Sequence, residues 1–112
     1  YCEQADSTAA TQTCLKRHLD TAQTQLNTVY KSLENLITPE KKKELEALQK
    51  TWLAYRDAEC QWEAESSENP SLKRINELSC MARVTEDRAN VLSVANDNVK
   101  NILIIYFSLL NK

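Results

Sequence analysis

The sequence predicts an all-α protein, and three observations support this fold class. The 112 residues include no glycine and only two prolines, so the residues that usually build hairpins and tight turns are nearly absent. Apolar residues recur at steps of three and four along most of the chain, which is the period of an amphipathic helix. Only residues 66–70, Ser-Ser-Glu-Asn-Pro, have a clearly loop-like composition. We therefore expect one domain, residues 1–112, built as an antiparallel three-helix bundle or hairpin.

The first predicted helix runs from about Thr11 to Ile37. Thr38 and Pro39 then provide an N-cap and first-turn signal for the next helix, with Glu40 near the positive end of its dipole. A tight corner is expected there. The apolar stripe of the first helix consists of Leu15, Leu19, Ala22, Leu26, Val29, Leu33 and Leu36.

The second predicted helix ends near Glu65. We expect Trp52 and Tyr55 to pack in the core, because they share a helix face with two leucines. The lysines at positions 41–43 fall in the first turns and are expected to face water. The predicted apolar face consists of Leu45, Leu48, Trp52, Tyr55 and Ala58.

The third predicted helix follows the loop, with Ser71 as its expected N-cap. It continues without proline or glycine for about forty residues, or roughly 60 Å, against about 40 Å for each of the other helices. Its apolar positions follow heptad-like steps through Leu72, Ile75, Leu78, Ala82, Thr85, Ala89, Leu92, Ala95, Val99, Ile102, Tyr106 and Leu109.

Residues 93–112 form an apolar C-terminal helical extension that would overhang a three-helix body. Between Ile102 and Leu110 it is apolar nearly all round, but it is too short to span a bilayer. Either residues 96–98 break the helix and the extension folds back as a short fourth helix, or it pairs with a second copy of the chain. The absence of a strong breaker favours the homodimer. Its expected contact residues are Ile102, Ile105, Tyr106 and Leu109.

The four cysteines are Cys2, Cys14, Cys60 and Cys80. No C-x-x-C pair occurs and the chain has one histidine, so neither zinc-ligand spacing nor a c-type haem motif is present. An even number of widely spaced cysteines in a small domain favours disulfides and an oxidising compartment. The economical pairing is Cys2 with Cys14 and Cys60 with Cys80, although four cysteines allow three connectivities.

The first residue is Tyr1 and no apolar N-terminal segment is present, so we expect a signal peptide to have been removed or excluded. Cys2 is a conceivable lipid attachment site, but Tyr1 precedes it and Cys14 is available as a partner. We therefore expect a soluble mature protein. The net charge is −2, with acidic and basic residues interleaved, so no nucleic-acid surface is expected.

Two sequence blocks carry a family resemblance. Q-x-x-W-x-x-Y-R-D-x-x-C spans Gln49 to Cys60, and C-x(4)-T-x-x-R spans Cys80 to Arg88. With the early C-x(11)-C pair and L-N-x-V-Y from Leu26 to Tyr30, they resemble the LprI-type lysozyme-inhibitor domain. The resemblance extends to about Leu92. It implies an exported, helical, disulfide-bonded domain of the bacterial envelope, periplasmic or secreted, that inhibits host lysozyme by direct binding.

Five residues of these two blocks are predicted to stabilise the fold rather than to contact a partner. Arg56 and Arg88 each stand beside acidic residues, and we expect ion pairs that lock the second and third helices together. The predicted structural set is Trp52, Tyr55, Arg56, Thr85 and Arg88.

The predicted partner-binding surface is the end of the second helix and the loop after it. Trp62 is a large amphipathic side chain beyond the apolar face, which is typical of contact residues. Glutamates at 59, 63, 65 and 68 add negative charge, which would attract a strongly basic lysozyme. The set is Trp62, Glu63, Glu65, Ser66, Ser67, Glu68 and Asn69.

No convergent catalytic set is present in the sequence, and composition excludes glycine-rich phosphate loops. His18 is expected to be an exposed residue without a catalytic role, and no enzyme activity, cofactor or metal is predicted. Two binding functions remain. One is inhibition of lysozyme or another wall hydrolase; the other is an envelope interaction protein, such as an immunity protein against a wall-degrading toxin or an assembly factor, whose partner covers Ile102 to Leu110.

Overall fold

The computed structural model describes residues 2–111, so Tyr1 and Lys112 lie outside the described residues. Three helices make up the fold: α1 (Thr8–Glu34), α2 (Pro39–Ala64) and α3 (Pro70–Leu110). No strand occurs within residues 2–111, and the predicted all-α fold is confirmed. The chain measures 64 × 28 × 15 Å, and its long dimension matches the length expected for the 41 residues of α3.

Local capping signals start α1 and α2. Ser7 Oγ accepts a hydrogen bond from the amide of Ala10, and α1 begins and ends three residues earlier than the sequence predicted. Thr38 Oγ1 accepts a hydrogen bond from the amide of Lys41, and Pro39 occupies the first turn of α2. The predicted corner between the two helices is therefore confirmed.

The N-cap of α3 is Asn69 rather than Ser71, which corrects the sequence prediction. Asn69 Oδ1 accepts hydrogen bonds from the amides of Ser71 and Leu72 at 2.9 and 3.3 Å. Pro70 is the reason: it has no N–H and its fixed φ suits the first helical position, so the residue before it becomes the cap.

Helix α3 is the central helix, and both α1 and α2 pack against it. Arg56 of α2 contacts Gln23 of α1 and Thr85 of α3, and further along both helices Ser32 of α1 contacts Asn96 of α3. Helices α1 and α3 therefore run parallel, and α2 runs antiparallel to both. The small side chains Ala82 and Ala89 lie buried on α3. The main core cluster draws on all three helices: Leu26, Leu33, Leu45, Ala89 and Leu92.

The buried face of α2 differs from the predicted apolar face. Leu48 is 60% exposed and Tyr55 56% exposed, so the prediction that Tyr55 packs in the core is wrong; Trp52 is half-buried against the core. The reason is that Arg56 donates hydrogen bonds to residues of α1 and α3, so the side of α2 that carries Arg56 is buried. The spacing of apolar residues does not reveal this, because Arg56 is polar. The buried residues of α2 are Leu45, Arg56, Cys60 and Ala64.

Two disulfides form, with the predicted pairing. Cys2–Cys14 ties the N-terminal arm to α1, with a Cα–Cα distance of 5.8 Å. Cys60–Cys80 ties the end of α2 to α3, with a Cα–Cα distance of 5.4 Å. Both lie toward the end of the body that holds the α2–α3 turn. Each closed loop is expected to stabilise the fold by roughly 3 kcal/mol.

Helix α3 continues past the other two helices. Val99 is the last residue of α3 that packs against the core cluster, and residues 100–110, which we name the tail, extend beyond it. The alternative in which residues 96–98 break the helix is wrong, because Asn96 is buried on α3 and the helix runs through all three. Among the described residues, no helix has the length and apolarity needed to cross a bilayer.

Candidate functional site

The surface predicted to contact a partner lies at the closed end of the α2–α3 hairpin. The buried Cys60–Cys80 disulfide joins the two helices just inside the turn. Trp62 follows two residues after Cys60 and is 73% exposed, the highest value among the exposed large apolar side chains. The hairpin therefore presents an indole ring to solvent from a covalently fixed backbone.

Trp62 borders a shallow groove of about 300 Å³ between α2 and α3. Asn76 Nδ2 donates to Ser66 Oγ at 3.4 Å across this groove, and Arg83 contributes its guanidinium to the lining. A second groove between the same helices, of about 560 Å³, is lined largely by charged residues, among them Asp57, Lys73 and Glu77. The turn thus offers one aromatic-bordered and one charged concavity.

Two of the acidic side chains in the predicted surface are held in ion pairs. Glu63 Oε2 lies 2.8 Å from Arg83 Nη2, and Glu65 Oε2 lies 3.5 Å from Lys73 Nζ. Each pair links the end of α2 to α3. The net negative charge at the turn is therefore smaller than a count of its glutamates suggests, and attraction of a basic partner depends more on exposed Glu68.

The turn is ordered by hydrogen bonds from its own side chains. Ser66 Oγ donates to the carbonyl oxygen of Glu63 at 2.7 Å, and Ser67 Oγ accepts from the amide of Asn69 at 3.2 Å. Asn69 in turn caps α3. Little conformational freedom remains to be lost when a partner binds this segment.

The predicted structural residues meet at one place in the body, except for Tyr55, which faces solvent. Arg56 is buried, and its Nη1 donates to Gln23 Oε1 of α1 and to Thr85 Oγ1 of α3, both at 3.3 Å. Its Nε donates to the neighbouring Asp57 at 3.1 Å. One guanidinium thereby bridges all three helices.

Trp52 lies between the two arginines. The guanidinium carbon of Arg56 is 5.2 Å from the ring centroid, and that of Arg88 is 6.0 Å away. Arg88 Nε donates to Gln49 Oε1 at 3.1 Å, and burial lowers the pKa of this guanidinium. The prediction of ion pairs between α2 and α3 is corrected at these arginines, because the bonds that cross between helices go to the neutral Thr85 and Gln49.

The sequence reasoning missed three polar residues at the helix interfaces, of which Gln23 and Gln49 are half-buried and Asn96 is buried. Gln23 and Gln49 receive hydrogen bonds from the two arginines. Asn96 is buried and accepts a hydrogen bond from Ser32 Oγ at 3.0 Å. Heptad spacing could have identified Asn96, which follows Leu92 by four residues on the buried face of α3, whereas no spacing signal marks the glutamines.

Within residues 2–111, two groups of residues have the spacing of a metal site. His18 lies beside Cys14 and Arg17 around a small depression, and both groups of residues spaced for metal binding contain a disulfide. Disulfide sulfurs are not thiolates and are poor metal ligands.

Burial, followed by the charges of Glu34 and Glu46, raises the pKa of Tyr30 above its ordinary value.

The fold and the turn define a small, all-helical, disulfide-bonded domain with an exposed tryptophan at the closed end of a hairpin. The family model described as Lysozyme inhibitor LprI matches residues 2–92. The chain therefore belongs to the LprI lysozyme inhibitor family, and the resemblance seen in the sequence is confirmed. The match covers both disulfides and ends before the tail.

No curated protein and no solved structure gave a significant match to the chain. Membership of an inhibitor family suggests a lysozyme-inhibitor role and a protein partner such as lysozyme. The family and the two disulfides are consistent with a location outside the cytoplasm.

Proposed function

We propose that this chain is an exported, non-enzymatic protein that binds lysozyme directly and inhibits it by occlusion, in the periplasm or outside the cell. The observation that carries the proposal is the match of residues 2–92 to a lysozyme inhibitor family. It spans α1, α2 and the first half of α3, so it includes most of the three-helix body. Two disulfides support export, because such bonds persist in oxidising compartments.

The α2–α3 turn is the surface that best fits this role. An exposed tryptophan on a rigid support is the type of residue that contributes most to binding, and Trp62 stands next to a disulfide and a hydrogen-bonded turn. Because the turn is already ordered, binding loses little conformational entropy. The contact set remains Trp62, Glu63, Glu65, Ser66, Ser67, Glu68 and Asn69.

Charge makes a secondary contribution in this proposal. Glu63 and Glu65 are paired with Arg83 and Lys73, so their attraction for a basic enzyme is partly cancelled. Affinity is therefore assigned mainly to apolar contact at Trp62, with salt-sensitive steering a smaller effect on the association rate.

The test is lysis of a peptidoglycan suspension by a basic lysozyme, titrated with this protein, together with size-exclusion chromatography of the mixture. Trp62→Ala should raise the inhibition constant about 30-fold, the loss typical of a central aromatic contact. Tyr55→Ala is the matched control, since Tyr55 is also an exposed aromatic residue of α2. Its inhibition constant should stay within about twofold of the parent protein.

Circular dichroism establishes that both variants fold. Absence of inhibition and of a complex with the parent protein would reject the proposed function. Equal losses in the two variants would reject the turn as the contact surface while leaving inhibition intact.

A second candidate is an envelope interaction protein of another kind, whose partner covers the tail. The exposure of the tail and its position outside the family match favour this alternative. In that case a charge at Tyr106 would abolish partner binding and Trp62→Ala would not.

A further inference from the structure

The buried face of α3 continues into the tail without a change of spacing. Six buried residues of α3 follow one another at alternating steps of four and three: Leu78, Ala82, Thr85, Ala89, Leu92 and Asn96. The same steps lead on to Val99, Leu103, Tyr106 and Leu110. In the body this face packs against the other helices, whereas past Val99 it is half-buried at Leu103 and exposed at Tyr106 and Leu110. The tail therefore prolongs this interface beyond Leu103, where its apolar side chains lie exposed.

The tail exposes enough apolar surface to form a stable interface. Its large apolar side chains at positions 102, 104–107, 109 and 110 are 55–65% exposed. Together they present roughly 800 Å² of apolar surface around the helix, more than the largest patch of a typical monomer, and Ile102, Tyr106, Phe107 and Leu110 place roughly half of it on or beside the continued face.

The composition of the tail suits pairing with an identical helix. Positions 101–110 contain no charged residue, so two copies meet without repulsion between like charges. Their two polar residues, Asn101 and Ser108, are seven residues apart and share the helix position opposite the continued face. That side can stay in water while the continued face is buried.

We infer that a second copy of this chain covers the tail, and that the two α3 helices pair antiparallel over residues 99–110. Parallel pairing is excluded by the body, because each copy's own helices already occupy the same face of α3 and the two bodies would collide. Antiparallel pairing places the bodies at opposite ends. It also brings the end of each tail to the partner's α1–α2 corner, where Leu36 and Ile37 are only half-buried.

The dimer has a distinctive length. Two chains of 64 Å that overlap by roughly 18 Å, the length of twelve helical residues, form a rod of about 110 Å. The α2–α3 turns lie at the two far ends of this rod. Both copies of Trp62 stay exposed, so the inference is independent of the proposed function.

Sedimentation equilibrium and small-angle X-ray scattering of the full chain test this arrangement. The parent protein should be a dimer with a maximum dimension of about 110 Å. Tyr106→Glu should weaken the dimer about 100-fold, because it buries a charge in the interface. Tyr55→Glu is the matched control: the two tyrosines are 55% and 56% exposed, and only Tyr106 lies on the tail. It should leave the dimer unchanged.

Circular dichroism checks that both variants remain helical; because both side chains are exposed in the single chain, neither change should unfold it. A monomeric parent protein in the upper micromolar range would overturn the inference, as would a dimer that Tyr106→Glu does not weaken or one much shorter than the rod. Addition of phosphatidylcholine vesicles provides a further test. Flotation of the parent protein as a monomer, lost in Tyr106→Glu, would show that lipid rather than a second copy covers the tail.

Discussion

Replacing Arg56 with methionine should lower the free energy of unfolding by about 2 kcal/mol. Methionine retains most of the volume of the buried stem but removes the guanidinium. The guanidinium makes the hydrogen bonds to Gln23 of α1 and Thr85 of α3. The substitution therefore tests whether one buried polar group holds the three helices together.

The magnitude follows from the contacts that are lost. The two hydrogen bonds of 3.3 Å are long, so we assign about 1 kcal/mol to each. The cation–π contact with Trp52 adds about 1 kcal/mol. The ion pair with Asp57 is left out, because the Asp57 side chain is 62% exposed and well screened. Relief of the guanidinium's desolvation returns about 1 kcal/mol.

The assay is equilibrium urea unfolding followed by far-ultraviolet circular dichroism, with both disulfides intact. Arg83→Met is the matched control, since its side chain is 51% exposed and its ion pair with Glu63 lies at the surface. It should cost less than about 0.5 kcal/mol. A double-mutant cycle of Arg56→Met with Thr85→Val should yield a coupling energy of about 1 kcal/mol.

Two results would refute the reasoning. If Arg56→Met costs no more than Arg83→Met, the guanidinium does not hold the helices together. If the coupling energy with Thr85 is zero, the hydrogen bond between them does not contribute to stability, and the guanidinium does not join α2 to α3 through Thr85.

The remaining predictions concern the disulfides and alkaline pH. Replacing both residues of Cys60–Cys80 with alanine should lower the free energy of unfolding in urea by at least about 3 kcal/mol. The loss should exceed that of the same change at Cys2–Cys14, because only Cys60 and Cys80 are fully buried. A larger loss at Cys2–Cys14 would contradict this. The raised pKa of Tyr30 means that the folded state holds this proton more tightly than the unfolded state, so stability is complete below about pH 10 and falls as the pH rises through the folded-state pKa. Tyr30→Phe should flatten that fall, and an unchanged slope in urea titrations across this range would disprove it.

Much of the fold was predictable because its signals are local. The Thr38-Pro39 pair sets the start of α2 through a side-chain cap and a fixed φ, and both features involve neighbouring residues. The heptad-like spacing of α3 likewise depends only on the helical period, so its unbroken length was within reach of the sequence. The cap of α3 was misassigned because Ser71 was chosen over Asn69, although Pro70 between them suits the first helical position and makes the residue before it the cap.

The candidate site was predictable only in part. Trp62 stood apart from the apolar spacing of α2, and its exposure in the structure agrees with that position. The pairing of Glu63 with Arg83 was not foreseeable, because the two residues are twenty positions apart and approach only when the hairpin closes. Whether these residues contact a lysozyme remains a prediction for the inhibition assay.

The sequence by itself determined the helices, their order and the family, because helical period, capping and motif spacing are properties of neighbouring residues. Only the tertiary structure decided which side of α2 is buried. That choice depends on Gln23, Arg56 and Thr85, which lie on three different helices and satisfy one another's hydrogen bonds only when packed. The exposure of the tail has a related origin: α3 continues because its own residues favour a helix, but most of the tail is exposed because α1 ends and α2 begins short of it.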